Sequence, residues 1–139
     1  MDPLSIAASI VGLIAAANQV AVGLNKLASL RGAPAAVLQL NNEVSDLRLV
    51  LSGAKPLLYK HDQIAASRGS GNPAVQLSIE RAKKRLADLE SVVLNRLMTR
   101  MGIIDRLGWL KEQDKIQAAL VDLRTARLHI TAMVGVVTS

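Results

Sequence analysis

Few side chains in this sequence have the type and spacing for chemistry. The two histidines, His61 and His129, stand far apart, one in a polar stretch and one in a helical pattern. Neither belongs to an HExxH pair, no Gly-rich phosphate loop is present, and no two carboxylates share an inward face. Both histidines read as solvated or capping residues, and no cofactor or metal motif occurs. The basic run Arg81, Lys83, Lys84 and Arg85 can hold phosphate. Without an aromatic platform or helix-turn-helix spacing, it does not point to nucleic acid. It reads as solvated surface or as a set of lipid-headgroup contacts, with Arg96, Arg100, Arg106 and Lys111 as alternatives. Asp88 and Glu90 beside it suit an exposed, salt-bridged face. Trp109 is either a hydrophobic plug closing one end of a bundle or an interfacial anchor at a headgroup layer.

The richest signal is an absence of charge. Between Asp2 and Lys26 there is no ionisable side chain. At ~1.5 Å per residue, residues 4–24 reach just far enough to cross a ~30 Å hydrocarbon layer. On a helical wheel Ser5, Ala8, Ser9, Gly12, Ala16, Gln19 and Gly23 gather on one side. Leu4, Ile6, Ile10, Val11, Leu13, Ile14, Val20, Val22 and Leu24 cover most of the rest. The spacing Ala8, Gly12, Ala16 is a small-xxx-small repeat, which lets helix backbones approach closely. Nine strongly apolar residues contribute about −3 to −5 kcal/mol on an insertion scale, opposed by Asn18, Gln19, serines and glycines. The balance is marginal. A core helix in water and a membrane helix are both open to this segment.

The elements around it are helical. Half of the 139 residues are apolar, with no Phe, one Trp and one Tyr. Leu, Val, Ile and Ala therefore make up the core, as suits closely packed helices rather than sheets. The absence of cysteine excludes disulfides and fits an intracellular protein. The N-terminus has no basic residue of the kind that opens a secretory signal. A net charge of +6 favours anionic partners.

The first helix is expected from Asp2-Pro3, a good cap pair, to about Leu30 ahead of Arg31-Gly32. The second starts at Pro34 with the seam Val37, Leu40, Val44, Leu47, Leu51, Ala54, Leu58, and Pro56 is placed to kink or end it. Residues 61–72 (HDQIAASRGSGN) read as a flexible loop. The third helix, from Asn72-Pro73 to about Arg100, turns Val75, Ile79, Ala82, Leu86, Leu89 and Val93 inward, and a turn from Gly102 to Gly108 follows. The fourth runs from about Leu110 to Val137 with Ala119, Leu123, Ala126, Ile130, Met133 and Val137 on its inner face, widened by Ile116, Leu120 and Val134. The expected fold is all-α, an antiparallel four-helix bundle with a hydrophobic N-terminal helix, forming a single domain over residues 1–139. That domain is read as the N-terminal part of a longer protein.

The opening MDPLSIAASIVGL (residues 1–13) resembles the start of the fungal HeLo-like domain that precedes STAND (NLR-like) and ankyrin-repeat regions. Ala33-Pro34 leading into LNNEVSDL (40–47) is similar to that family's second helix. LGWLKEQDKI (107–116) followed by LVDL (120–123) is similar to its Trp-containing start of the last helix. The likeness covers most of the chain and is weakest over 61–72. It implies a cell-death or immunity effector similar to HeLo domains and to the four-helix executioner domain of necroptosis. Such domains oligomerise when a sensor region signals, then engage and permeabilise membrane.

By that reading Leu4, Ile6, Ile10, Val11, Leu13, Ile14, Val20 and Leu24 insert into the membrane, and Ala8, Gly12 and Ala16 allow helix contacts. Arg81, Lys83, Lys84 and Arg85 hold anionic headgroups, and Asp2 leads the inserted end or merely caps it. At rest the first helix packs its bulky face on helices two to four. The expected partners are anionic lipid on activation, further copies of the chain, and an appended or separate sensor. The expected location is the cytoplasm at rest and the plasma membrane on activation. The competing reading is a helical interaction adaptor whose first helix forms a protein interface without membrane activity.

Overall fold

The computed structural model describes residues 6–68, 73–93 and 106–138, with side chains described over 8–57, 74–91 and 107–135. Every described element is helical: α1 (Ile6–Ser29), α2 (Ala35–Arg68), α3 (Pro73–Asp88), a π-helical turn (Leu89–Val93) and α4 (Arg106–Thr138). This is the all-α four-helix bundle the sequence predicts.

The α1–α2 hairpin is closed by local chemistry. The Leu30 N–H donates to the Leu27 carbonyl and the Ala33 N–H to the Leu30 carbonyl, each at 3.2 Å. Gly32 lies between them at φ 79°, in the left-handed region that a side chain disfavours. The Pro34 carbonyl then accepts from Val37 at 3.0 Å, which starts the next helix where proline's missing N–H is harmless.

Seam positions go inward. Val37, Leu40, Val44, Leu47, Leu51 and Ala54 of α2 are buried. They meet Val75, Ile79, Ala82, Leu86 and Leu89, and Ile116, Ala119, Leu123, Ala126 and Ile130 of α4, in one cluster. α1 adds Ile10, Leu13, Ala17, Val20, Ala21, Leu24 and Leu27. Fully burying each Leu or Ile contributes about 1.5–3 kcal/mol, so this cluster dominates stability.

The neighbours differ from the expected arrangement. α1 packs on α2 and α3, and so does α4, leaving α1 and α4 across a diagonal. The first helix therefore makes its main contacts with α2 and α3 and meets α4 chiefly through the shared core cluster. Ser9 meets Gln76 and Gly12 meets Lys83, so α1 and α3 run in the same direction. Arg85 meets Asp122 and Ser78 meets His129, so α3 and α4 run oppositely.

Three boundaries also move. α2 continues through Pro56 to Arg68 and takes in residues 61–68 of the expected loop. Ser52, Gly53, Lys55 and Pro56 all face solvent, so the carbonyl deprived of its partner by Pro56 lies on the exposed side of the helix, while Leu51 and Ala54 are buried on the other. HDQIAASR itself has no helix breaker; the glycines and proline follow it at 69–73. α4 starts at Arg106, so Gly108 and Trp109 lie inside its first turn instead of before it. The regular third helix ends at Asp88 and widens into the π-helical turn, with Leu89 still buried. The expected cap Asp2-Pro3, the third helix beyond Val93 and the turn at Gly102 lie outside the described residues.

Candidate functional site

α1 is the one described helix long and apolar enough to cross a membrane, over Ala8–Ser29 at mean hydropathy 1.5. Its wheel divides into three sides. The inner side holds Ile10, Leu13, Val20 and Leu24, none of them exposed. Ile14 and Asn18 line a shallow groove shared with Ser45, Arg48, Leu49 and Ser52 of α2. The side toward solvent carries Ala8, Val11, Ala15, Gln19 and Val22, the last 74% exposed. Only 39% of the apolar stretch is buried, so α1 occupies a corner of the bundle rather than its centre.

The sequence-derived insertion residues thus scatter. Ile10, Leu13, Val20 and Leu24 are core, Ile14 is half-buried and Val11 is exposed. Leu4 and the Ile6 side chain lie outside the described residues. The small-residue stripe turns toward α3: Ser9 is buried, Gly12 and Ala16 are half-buried, and Ala8 is exposed. Gln76 Nε2 donates to Ser9 Oγ at 2.8 Å, and Lys83 stretches its ammonium over Gly12. On the α2 side Arg48 Nε donates to Asn18 Oδ1 at 2.8 Å.

The basic run divides in the same way, because successive helix positions are ~100° apart. Lys83 points to α1, Arg85 pairs with Asp122 of α4 at 2.7 Å, and Arg81 and Lys84 face solvent. These four do not form one patch. Trp109 is half-buried and packs against the core at the start of α4.

Residues that the periodicity did not flag tie the remaining helices together. Glu43 of α2 is 5% exposed and accepts from Arg127 Nε at 3.2 Å and Nη2 at 3.4 Å, with Arg124 Nε at 3.5 Å. Ser78 Oγ donates to the Ala74 carbonyl at 3.1 Å and meets His129 Nδ1. Ser78 Oγ thus has two neighbours for its one proton, the Ala74 carbonyl and His129 Nδ1, and the imidazole tautomer decides which of them receives it. His129 is exposed, as expected, and also bridges α3 and α4 through this contact. The signal for Glu43 was its place one residue before the seam position Val44, on the flank where two helices meet.

The electrostatics of the bundle are lopsided. α4 is joined to α2 by Glu43–Arg127 and to α3 by Arg85–Asp122. α1 carries one charged side chain, Lys26, and among the described residues forms no ion pair with the other helices. It is held by apolar packing and by neutral acceptors. Among the described residues no group of three or more metal-ligating side chains occurs.

Compared with known proteins, the chain matches no family model, no curated protein and no solved structure.

Proposed function

We propose that this chain is a membrane-targeting effector domain of the cell-death or immunity type, whose α1 leaves the bundle on clustering and enters an anionic bilayer. One observation carries the reading: the helix apolar enough to cross a membrane joins the bundle without an ion pair. The stretch 6–25 of α1 carries no charge to drag into hydrocarbon, Lys26 stands near the helix's C-terminal end, and no ionic partner among the described residues is stranded when the helix leaves.

Energetics make the release conditional. Exposing Ile10, Leu13, Val20, Leu24 and Leu27 to water costs about 8–15 kcal/mol at 1.5–3 each, comparable to the whole stability of a domain. Hydrocarbon restores that term for α1. The vacated faces of α2 and α3 need a cover of their own, which further copies supply. Insertion and oligomerisation are thus coupled, and a sensor that clusters the chain is the natural trigger. The resemblance of residues 1–13 and 107–116 to the HeLo-like group supports the same reading. Arg81 and Lys84, already facing solvent, suit headgroup contact from α3.

The test is leakage from vesicles of anionic lipid by chain clustered through a fused oligomeriser. Leakage is expected, and its loss on deleting residues 1–24 or on Gly12→Leu. No leakage, or leakage indifferent to both changes, sinks the proposal.

A second reading, an interaction adaptor, is favoured by a separate observation. Leu107, Leu110, Val121 and Leu128 are exposed on α4, which sits diagonally opposite α1. An adaptor associates without leaking vesicles.

A further inference from the structure

The outer face of α4 repeats with the spacing of a helix-pairing seam. Leu110, Asp114, Gln117, Val121, Arg124 and Leu128 alternate fours and threes, and all six are exposed. Leu110 is 65% exposed, Val121 62% and Leu128 53%, which is unusual for three large apolar residues on one stripe. The inner face of the same helix is already spent on α2 and α3.

We infer that this stripe pairs with the same stripe of a second copy, the two α4 helices running antiparallel about a two-fold axis level with Ala119. The sequence of the stripe dictates both partner and direction. About that axis Leu110 faces Leu128 of the second copy, Gln117 faces Val121, and Asp114 faces Arg124, each contact occurring twice as an isologous interface requires. A parallel, in-register pair sets Asp114 against Asp114 and Arg124 against Arg124, so like charges oppose it.

Asp114 is open to a new partner, and Arg124 reaches one by giving up its long contact with Glu43. Asp114 forms no ion pair with a described residue. Arg124 is 62% exposed and stands 3.5 Å from Glu43. Glu43 keeps Arg127 through both of its oxygens when Arg124 turns outward. One helix face per copy lies at or below the ~1,200 Å² low end of specific interfaces, so the dimer belongs to the weak, transient class.

The inference deepens the oligomerisation step of the proposed function by naming its surface, and it holds whether or not α1 leaves the bundle. Sedimentation equilibrium on the 139-residue chain measures it. Association is expected, weakened about tenfold or more by Asp114→Arg, which faces Arg124 with a like charge. The absence of cysteine allows a second test in which orientation is read directly. A Leu110→Cys chain mixed with a Leu128→Cys chain forms a disulfide-linked pair on mild oxidation, whereas each alone does not. In the antiparallel pair two copies of position 110 lie about 27 Å apart, far beyond the ~7 Å reach of a disulfide. A chain monomeric up to ~1 mM, association indifferent to Asp114→Arg, or single-cysteine chains that link to themselves as readily as the mixture overturns the inference. Dimerisation without vesicle leakage supports this interface and sinks only the insertion reading; leakage without dimerisation does the reverse.

Discussion

Lys83 of α3 spans Gly12 of α1 so closely that a Cβ built on the glycine stands 3.2 Å from Nζ and 3.4 Å from Cε. A cation from the basic run thus covers the small-residue stripe of the apolar helix. The two features that make α1 look suited to a membrane, its small residues and a nearby cation, are turned on each other in the closed bundle.

That contact sets a size limit that a mutant series reads. Gly12→Ala asks only the flexible end of Lys83 to give by a few tenths of an ångström, and it removes a mid-helix glycine that costs about 0.5–1 kcal/mol. Gly12→Ala is expected to leave stability unchanged or to raise it by up to about 1 kcal/mol, measured by urea denaturation. Gly12→Leu must displace the Lys83 side chain and is expected to destabilise by about 1–3 kcal/mol. A loss above ~1 kcal/mol for the alanine variant means that the ammonium is fixed in place.

The Glu43 pair holds α2 to α4 from the flank of the core. Glu43→Ala leaves the half-buried Arg127 guanidinium without its carboxylate, and a loss of about 1–3 kcal/mol is expected. Arg124→Ala, at an exposed and longer contact, is expected to cost no more than about 0.5 kcal/mol. Denaturant midpoints of the two variants, taken with Arg127→Ala in a double-mutant cycle, check the order. Equal losses for Arg124 and Arg127 contradict it.

How much of this was legible follows from what periodicity encodes. The alternation of threes and fours in Val37, Leu40, Val44, Leu47, Leu51 and Ala54 fixes which side of α2 is inward, and all six are buried. Periodicity does not say which helix each side meets. That α1 neighbours α3 and lies diagonal to α4 depends on how the connections route between helices, a non-local property. The basic run looked like one patch because its residues are consecutive, yet a helix sends consecutive residues in different directions. Arg85 and Lys83 accordingly serve α4 and α1. Glu43 and Ser78 were missed because a polar residue on the flank becomes structural only when the opposite flank supplies its partner.

The Ser78–His129 contact makes a spectroscopic prediction. Ser78 Oγ touches His129 Nδ1 and not Nε2, so the hydroxyl biases the tautomer of the neutral imidazole through that one nitrogen. Long-range ¹⁵N correlation spectra are expected to report one dominant tautomer for His129 in the parent chain and a changed tautomer balance in Ser78→Ala. Ser78→Ala is also expected to cost about 0.5–1.5 kcal/mol. A tautomer balance that Ser78→Ala leaves unchanged contradicts the contact.

The solvent side of α1 separates insertion from every reading in which the helix stays put. Ala15 is exposed and sits near the middle of the apolar stretch Ala8–Ser29. In the closed bundle Ala15→Asp touches nothing in the core, and stability is expected to change by about 0.5 kcal/mol, from helix propensity alone. In a bilayer the same carboxylate near the helix centre costs about 2.5–3.5 kcal/mol. That is most of the −3 to −5 kcal/mol that the apolar residues supply, so insertion loses its margin. Ala15→Asp is therefore expected to keep the circular dichroism spectrum and the denaturation midpoint of the parent while abolishing leakage of anionic vesicles by the clustered chain. Ala15→Leu, equally exposed and more apolar, is expected to leak at least as fast. Leakage that survives Ala15→Asp with the fold intact means that α1 does not cross the bilayer, whatever else the bundle does at its surface.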